Sequence, residues 1–150
     1  MIAVIRISGM IKLKKPTVET LDRLRLRRKY VCVLIDDKNA EVMGMIKKLR
    51  DFVAYGDINQ ETLTKLIKAR GQWDKTAPKG VPSKKGKISD ADASAIAKES
   101  LTGKKLKDSG LKPFFRLHPP RGGIDSKEHY PKGVLGNHKE DINKLIARML

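Results

Sequence analysis

The chain has 150 residues, about the length of one domain, and 39% of them are hydrophobic. Its 33 Lys and Arg against 17 Asp and Glu give a net charge of +16 at pH 7, which predicts a polyanionic partner, either nucleic acid or an anionic membrane. The longest apolar runs, such as residues 31–35, are far shorter than the roughly 18 residues that a membrane-spanning helix needs, so we expect no such helix.

The first 58 residues alternate short apolar runs with helical patterns. The first run is β-branched and ends at Ser8-Gly9, which is typical of a strand rather than of a signal peptide. The run at 31–35 is apolar at every position, so we expect a strand that is covered on both faces. The predicted elements are strands at 2–7, 31–35 and 52–55 and helices that begin near Pro16 and after Asn39.

Beyond residue 58, helical patterns are separated by basic segments rich in glycine and proline. We therefore predict two domains, a βαβαβ core at 1–58 and a mainly helical, loop-rich and elongated extension at 59–150. Residues 75–87 have little to bury, and in the basic segment 104–121 the only substantial apolar anchors are Phe114, Phe115 and Leu117, so we expect the loops 75–87 and 104–123 to become ordered against a partner. Helices are predicted to begin at Asn59, Ser89 and Asn137.

One arrangement suggests catalysis. Asp36 and Asp37 follow the predicted second strand, and carboxylates at strand ends can hold magnesium for phosphoryl chemistry. The same pair, followed by Lys38-Asn39 and a helix, equally makes a polar turn with negative charge at a helix N-terminus, which is the commoner arrangement. A magnesium-dependent phosphotransfer or nuclease-like enzyme that uses Asp36 and Asp37 therefore stays as the alternative function.

The sequence predicts no metal site and no cofactor. His118, His129 and His138 lie in loop-like sequence without the close spacing that zinc sites favour. A single cysteine, Cys32, excludes a disulfide framework, and its apolar surroundings indicate a small buried hydrophobe rather than a nucleophile.

The basic runs point to nucleic acid, because they coincide with glycine- and proline-rich segments that cannot fold alone. Only 5% of the residues are aromatic, which favours recognition of the shape and backbone of folded RNA over stacking on single strands. A DNA-compacting protein is a third possibility.

Four segments of the first 58 residues, 2–9, 17–28, 31–36 and 43–49, resemble the universal family of large-subunit ribosomal proteins numbered thirty. Segments 90–92, 114–120 and 133–137 resemble the extension of its archaeal form. The resemblance implies a three-stranded sheet with two helices on one face, somewhat like a ferredoxin fold, bound to large-subunit ribosomal RNA. For the archaeal form it also implies proximity to 5S RNA, and it implies no catalytic residue.

We therefore expect a structural constituent of the large (50S) ribosomal subunit in the cytoplasm. Its expected partners are large-subunit ribosomal RNA, 5S RNA and neighbouring ribosomal proteins, which would also cover the second face of the sheet; no membrane and no small-molecule substrate are expected. The resemblance matches the family's basic loop to Lys12, Lys14 and Lys15 and the basic end of its first helix to Arg23, Arg25, Arg27, Arg28 and Lys29. The other candidate RNA-binding residues are Lys47, Lys48, Lys75, Lys79, Lys84, Lys85, Lys87, Lys112, Arg116 and Arg121.

Within the first basic run, two residues lie close to acids. We expect Arg23 and Lys29 to be partly engaged with Glu19 and Asp22. Arg27 and Arg28 lie past the apolar stripe of the first helix, so their guanidinium groups are expected to be free for phosphate.

Overall fold

A computed structural model of the chain describes residues 1–11, 13–74, 86, 88–104, 106–124 and 126–150. Within these ranges, no helix is both long enough and apolar enough to cross a bilayer. The predicted loop at 75–87 lies outside the described residues, apart from Gly86. The elements are β1 (Ile2–Arg6), α1 (Lys15–Arg23), β2 (Val31–Ile35), α2 (Ala40–Lys48), β3 (Val53–Asp57), α3 (Gln60–Arg70), α4 (Asp90–Leu101), β4 (Phe115–Arg116), β5 (Gly136–Asn137), a 3-10 turn (Lys139–Asp141) and α5 (Ile142–Met149).

The strands form one sheet in the order β4-β2-β1-β3-β5. β1 is antiparallel to both β2 and β3, so α2 connects two strands that lie on either side of β1. This split βαβ arrangement confirms the predicted α+β core with its ferredoxin-like resemblance. The extension adds one short strand at each edge, β4 antiparallel to β2 and β5 parallel to β3.

One face of the sheet carries α1 and α2. Because side chains alternate along a strand, Val4, Val33 and Val53 point to the same side. They belong to one cluster with Leu21 of α1 and Ile46 of α2, all of them buried. This cluster is the core that the periodicity of residues 1–58 predicts.

The opposite face of the sheet is covered by the extension itself. Ala3, Ile5 and Ala54 belong to a second buried cluster, which they share with residues of α3, α4 and α5 such as Leu66 and Ile146. The expectation of an elongated extension is therefore wrong, and the chain's own helices take the place that we assigned to a neighbouring protein. β2 is covered on both faces, as its uninterrupted apolar sequence predicts.

Helix caps follow the sequence signals in two cases. The Asn39 side chain accepts a hydrogen bond from the backbone of Val42, and the Ser89 hydroxyl accepts one from the backbone of Asp92. The last helix begins later than the predicted start at Asn137, because a 3-10 turn comes first and α5 begins at Ile142. The Asn137 side chain accepts a hydrogen bond from the backbone of Lys139 at the start of that turn.

Candidate nucleic-acid interface

The strand register brings several basic segments to one end of the sheet. β1 ends where β2 and β3 begin, since Ile5 is paired with Cys32 and Arg6 with Val53. The backbone carbonyl of Phe52 also accepts hydrogen bonds from the Ile7 and Ser8 amides, both at 3.1 Å. We call this the basic end of the sheet and define it as segments 7–9, 26–30 and 47–52 together with Arg116, which is paired with Val31.

A buried arginine holds the loops of the basic end together. Arg6 is only 1% exposed although it is charged. Its Nη1 donates to the carbonyl of Leu26 at 2.6 Å, Nη2 to the carbonyl of Gly9 at 2.9 Å and Nε to the carbonyl of Ser8 at 3.1 Å. Burial lowers the pKa of Arg6, and the nearby Asp22 carboxylate acts in the opposite direction.

Sequence reasoning missed this role of Arg6. The signal was present, since a single charged residue interrupts the apolar run 2–7. A charge in a buried strand needs hydrogen-bond partners, and here backbone carbonyls supply them.

The segment that joins α1 to β2 turns its basic side chains outward, while Leu24 and Leu26 are buried. Leu26 is fully buried, and its amide donates to the Leu21 carbonyl at 2.8 Å. Arg25 and Tyr30 adopt left-handed backbone conformations, with φ of 61° and 62°, on either side of Leu26. As a result, the four basic side chains of the segment are exposed: Arg25, Arg27, Arg28 and Lys29.

The ion pairs of this segment differ in part from the prediction. Arg23 binds Glu19 at 2.7 Å, as expected. Asp22 lies 3.7 Å from Nε of Arg27 rather than beside Lys29, so the expectation that Arg27 is free is wrong. The Lys29 ammonium instead lies 4.8 Å from the centre of the Tyr30 ring.

Arg28 matches the expectation of a free guanidinium. Its side chain is exposed, and neither it nor Arg25 forms an ion pair within the part of the chain that the structure describes. An exposed guanidinium without a carboxylate partner can offer both of its donor edges to a phosphate.

Other predicted residues lie on or next to the basic end. Lys47 and Lys48 are exposed in the last turn of α2, just before Phe52. Lys14 and Lys15 are exposed at the start of α1. Arg116 is exposed on β4, with its guanidinium carbon 6.0 Å from the centre of the Phe114 ring.

Two predicted residues lie apart from this group. Lys112 is half-buried, and its ammonium donates to the Gln72 side chain at 3.2 Å. Arg121 is exposed, and its amide donates to the carbonyl of Arg148 near the end of α5. The remaining candidates lie outside the described residues: Lys12, Lys75, Lys79, Lys84, Lys85 and Lys87.

The opposite end of the sheet carries both signs of charge, because Asp36 and Asp37 line a cavity together with basic side chains, among them Arg23, Arg25 and Lys38. Asp36 and Asp37 follow β2, and the Asp36 carboxylate accepts a hydrogen bond from the Lys38 amide at 3.1 Å. Asp37 lies 3.6 Å from the N-terminal ammonium of Met1. A backbone hydrogen bond, followed by that ammonium, lowers the pKa of Asp37. The pair thus serves a turn and a terminal ion pair, and the described ranges hold no group of three side chains arranged for a metal.

Two of the three histidine side chains have polar partners, and the cysteine is buried. His129 Nε2 lies 3.0 Å from an Asp51 oxygen at the basic end, and His138 Nε2 lies 2.9 Å from the carbonyl of Val134. Cys32 is buried, and desolvation raises its thiol pKa to about 12, which fits its interpretation as a buried hydrophobe.

Comparison with known proteins shows the family of the chain. Residues 2–53 match the model of the family "ribosomal protein L30p/L7e". The chain is 42% identical to the large ribosomal subunit protein uL30 of Archaeoglobus fulgidus, over 99% of each protein. It belongs to this family.

Further relatives show that the extension is shared as well. The uL30 proteins of Desulfurococcus amylolyticus and Methanococcus vannielii are 39% and 38% identical over 99% of this chain, and cover 97% and 98% of their own lengths. The family model ends at residue 53, where β3 begins, so the similarity beyond that point belongs to full-length relatives of this kind.

Proposed function

We propose that the chain is a structural constituent of the large ribosomal subunit and that it binds folded ribosomal RNA through the basic end of its sheet. The relatives that match along its whole length are large ribosomal subunit proteins, and their family is structural rather than enzymatic. The observation that supports the binding surface is the convergence of exposed cations, from segments 26–30 and 47–52, on the end of the sheet where β2 and β3 begin.

The chemistry of binding is electrostatic. Each Lys or Arg that meets a phosphate releases condensed counterions, and these contacts fix position without reading bases. Arg28 and Lys29 lie on a loop that is anchored by Leu26 and by the Arg6 side chain, so little order has to be acquired on binding.

The core and the extension would contact different segments of RNA. The core at 1–58 would present the basic end, and the extension at 59–150 would contact a second RNA segment. Lys112 and Arg121 are the described candidates for that second contact, together with the lysines of 75–87 in the sequence. We include 5S RNA as the second partner because the resemblance to the archaeal form implies its proximity.

The binding test uses the full-length chain and large-subunit RNA extracted from stripped subunits. If about six to ten phosphates are neutralised, affinity should fall about 10³- to 10⁵-fold between about 50 and 200 mM salt. The double variant Arg28→Gln, Lys29→Gln should reduce the salt slope by about two. Lys38→Gln, at the other end of the sheet, is the matched control and should leave the slope unchanged.

Three results would contradict the proposal. An affinity for RNA that does not change with salt concentration would contradict the electrostatic mechanism. Equal affinity for duplex DNA would favour a DNA-compacting protein. Magnesium-dependent hydrolysis of RNA or nucleotides that Asp36→Asn abolishes would favour the enzyme.

A further inference from the structure

The loop between β1 and α1 carries an exposed apolar tip. The side chain of Met10 is 51% exposed and that of the adjacent Ile11 is 87% exposed. Single exposed apolar residues are common and need no explanation. The described part of the chain has four exposed large apolar side chains, those of Met10, Ile11, Leu101 and Tyr130. Among these four, only Met10 and Ile11 are adjacent in sequence.

The tip stands on a fixed base. On its N-terminal side, the buried Arg6 guanidinium binds the carbonyls of Ser8 and Gly9, and the Ser8 amide donates to Phe52. On its C-terminal side, Leu13 packs against the cluster under α1 and α2. Met10 and Ile11 therefore project between two anchored points, and binding through them costs little ordering of the loop.

The sequence around the tip is basic. No acidic residue occurs in the sequence before Glu19, and that carboxylate is engaged by Arg23. Lys14 and Lys15 are exposed just beyond the tip. An apolar tip that is followed by exposed lysines complements a polyanion that also offers an apolar face.

We infer that Met10 and Ile11 form a wedge that packs against an unstacked base of the ribosomal RNA, while Lys14 and Lys15 bind the phosphates beside it. This inference rests on the proposed RNA binding and names a contact within it. Apolar side chains such as Ile and Met are used as wedges between bases, and unstacked bases of RNA loops and bulges expose the faces that a wedge needs. The stiff, β-branched side chain of Ile11 and the polarizable thioether of Met10 suit such a face.

The first test compares substitutions at position 11 for binding to large-subunit RNA extracted from stripped subunits. Ile11→Ser should weaken binding about tenfold, because burial of one aliphatic side chain is lost. Its salt slope should stay unchanged, since no charge is altered. Ile11→Leu keeps the apolar area and should bind like the original chain. Lys14→Gln should instead reduce the salt slope by about one.

These results separate the wedge from the proposed function. If the unaltered chain binds with the expected salt dependence and Ile11→Ser binds equally well, the wedge is wrong and the electrostatic surface stands. If the unaltered chain shows no salt-dependent binding, both the wedge and the proposed RNA binding are wrong.

The second test identifies the occupant directly. A photoreactive side chain at position 11, carried into assembled large subunits, should crosslink to RNA at a single-stranded loop or bulge. A crosslink to a neighbouring protein would overturn the inference, because the tip would then fill an apolar pocket of that protein.

Discussion

The guanidinium of Arg6 donates to the carbonyl of Leu26 at 2.6 Å, across 20 residues of sequence. The same side chain binds Ser8 and Gly9, so one buried charge joins the loop that precedes α1 to the loop that follows it. Both loops carry exposed cations, and their relative position therefore depends on a residue that itself cannot reach RNA.

Replacing Arg6 should loosen the basic end and lower stability. Arg6→Met removes three charge-assisted hydrogen bonds and leaves the Leu26 carbonyl without its donor, so we expect the free energy of unfolding to fall by about 2–4 kcal/mol. Urea denaturation measures this, and hydrogen exchange at Ser8 should become faster. Arg116→Met, at an exposed arginine, should change stability by less than about 0.5 kcal/mol. Equal stability of the two variants would contradict the role of Arg6.

A second prediction concerns the docking of the extension onto β3. A Cβ atom at Gly56 would overlap the carbonyl oxygen of Lys139 and meet the Ile142 side chain at 3.0 Å. Gly56→Ala should therefore destabilise the chain by about 1–3 kcal/mol or more. Gly44→Ala is the control, because Gly44 lies within α2 with open space around it. It should stabilise the chain by about 0.5–1 kcal/mol in the same thermal unfolding experiment.

The elements that could be predicted have a regular spacing of apolar residues or a local cap residue. β1, β2 and β3 and the two core helices show apolar spacing over five or more residues, and Asn39 and Ser89 are cap residues that act locally. β4 and β5 have two residues each, which is too short for an alternating pattern. Their pairing is decided by tertiary contacts, and no local signal reveals it.

The candidate site shows the same division. The exposure of Arg28 follows from its place beyond the apolar stripe of α1. Asp22 is paired with Arg27 instead of Lys29, and the chain between them turns through a left-handed conformation at Arg25. The sequence does not predict this conformation, because a residue other than glycine rarely adopts it. The exposure of Met10 and Ile11 is likewise a tertiary outcome, since apolar residues in a loop can equally fold back onto the core.

A third prediction tests whether the core is independent of the extension. A fragment of residues 1–58 would expose the sheet face that carries Ile5, Ile7 and Ala54, all of them fully buried in the whole chain. We expect this fragment to self-associate and to bind a hydrophobic dye, because large contiguous apolar patches are rare on monomers. Sedimentation and dye fluorescence would show it. A monomeric fragment as stable as the full chain would instead support two independent domains.

The last prediction concerns acid sensitivity of the contact between loop and α5. The Asp141 carboxylate accepts hydrogen bonds from Lys144, at 2.7 Å, and from the Tyr130 hydroxyl, and these partners lower the pKa of Asp141. Its stabilising contribution is therefore complete above the unfolded pKa of about 3.9 and is lost as pH falls through the lower folded value. Asp141→Asn should reduce the thermal midpoint at neutral pH, and its difference from the original chain should shrink below about pH 4.

Asp108→Asn, at an exposed carboxylate with no ion pair in the described ranges, is the control and should change the midpoint little at either pH. The pKa of Tyr130, which its hydrogen bond to Asp141 raises, should fall in Asp141→Asn when followed by NMR. A difference between Asp141→Asn and the original chain that persists undiminished in acid would show that the contact is held by packing rather than by the carboxylate.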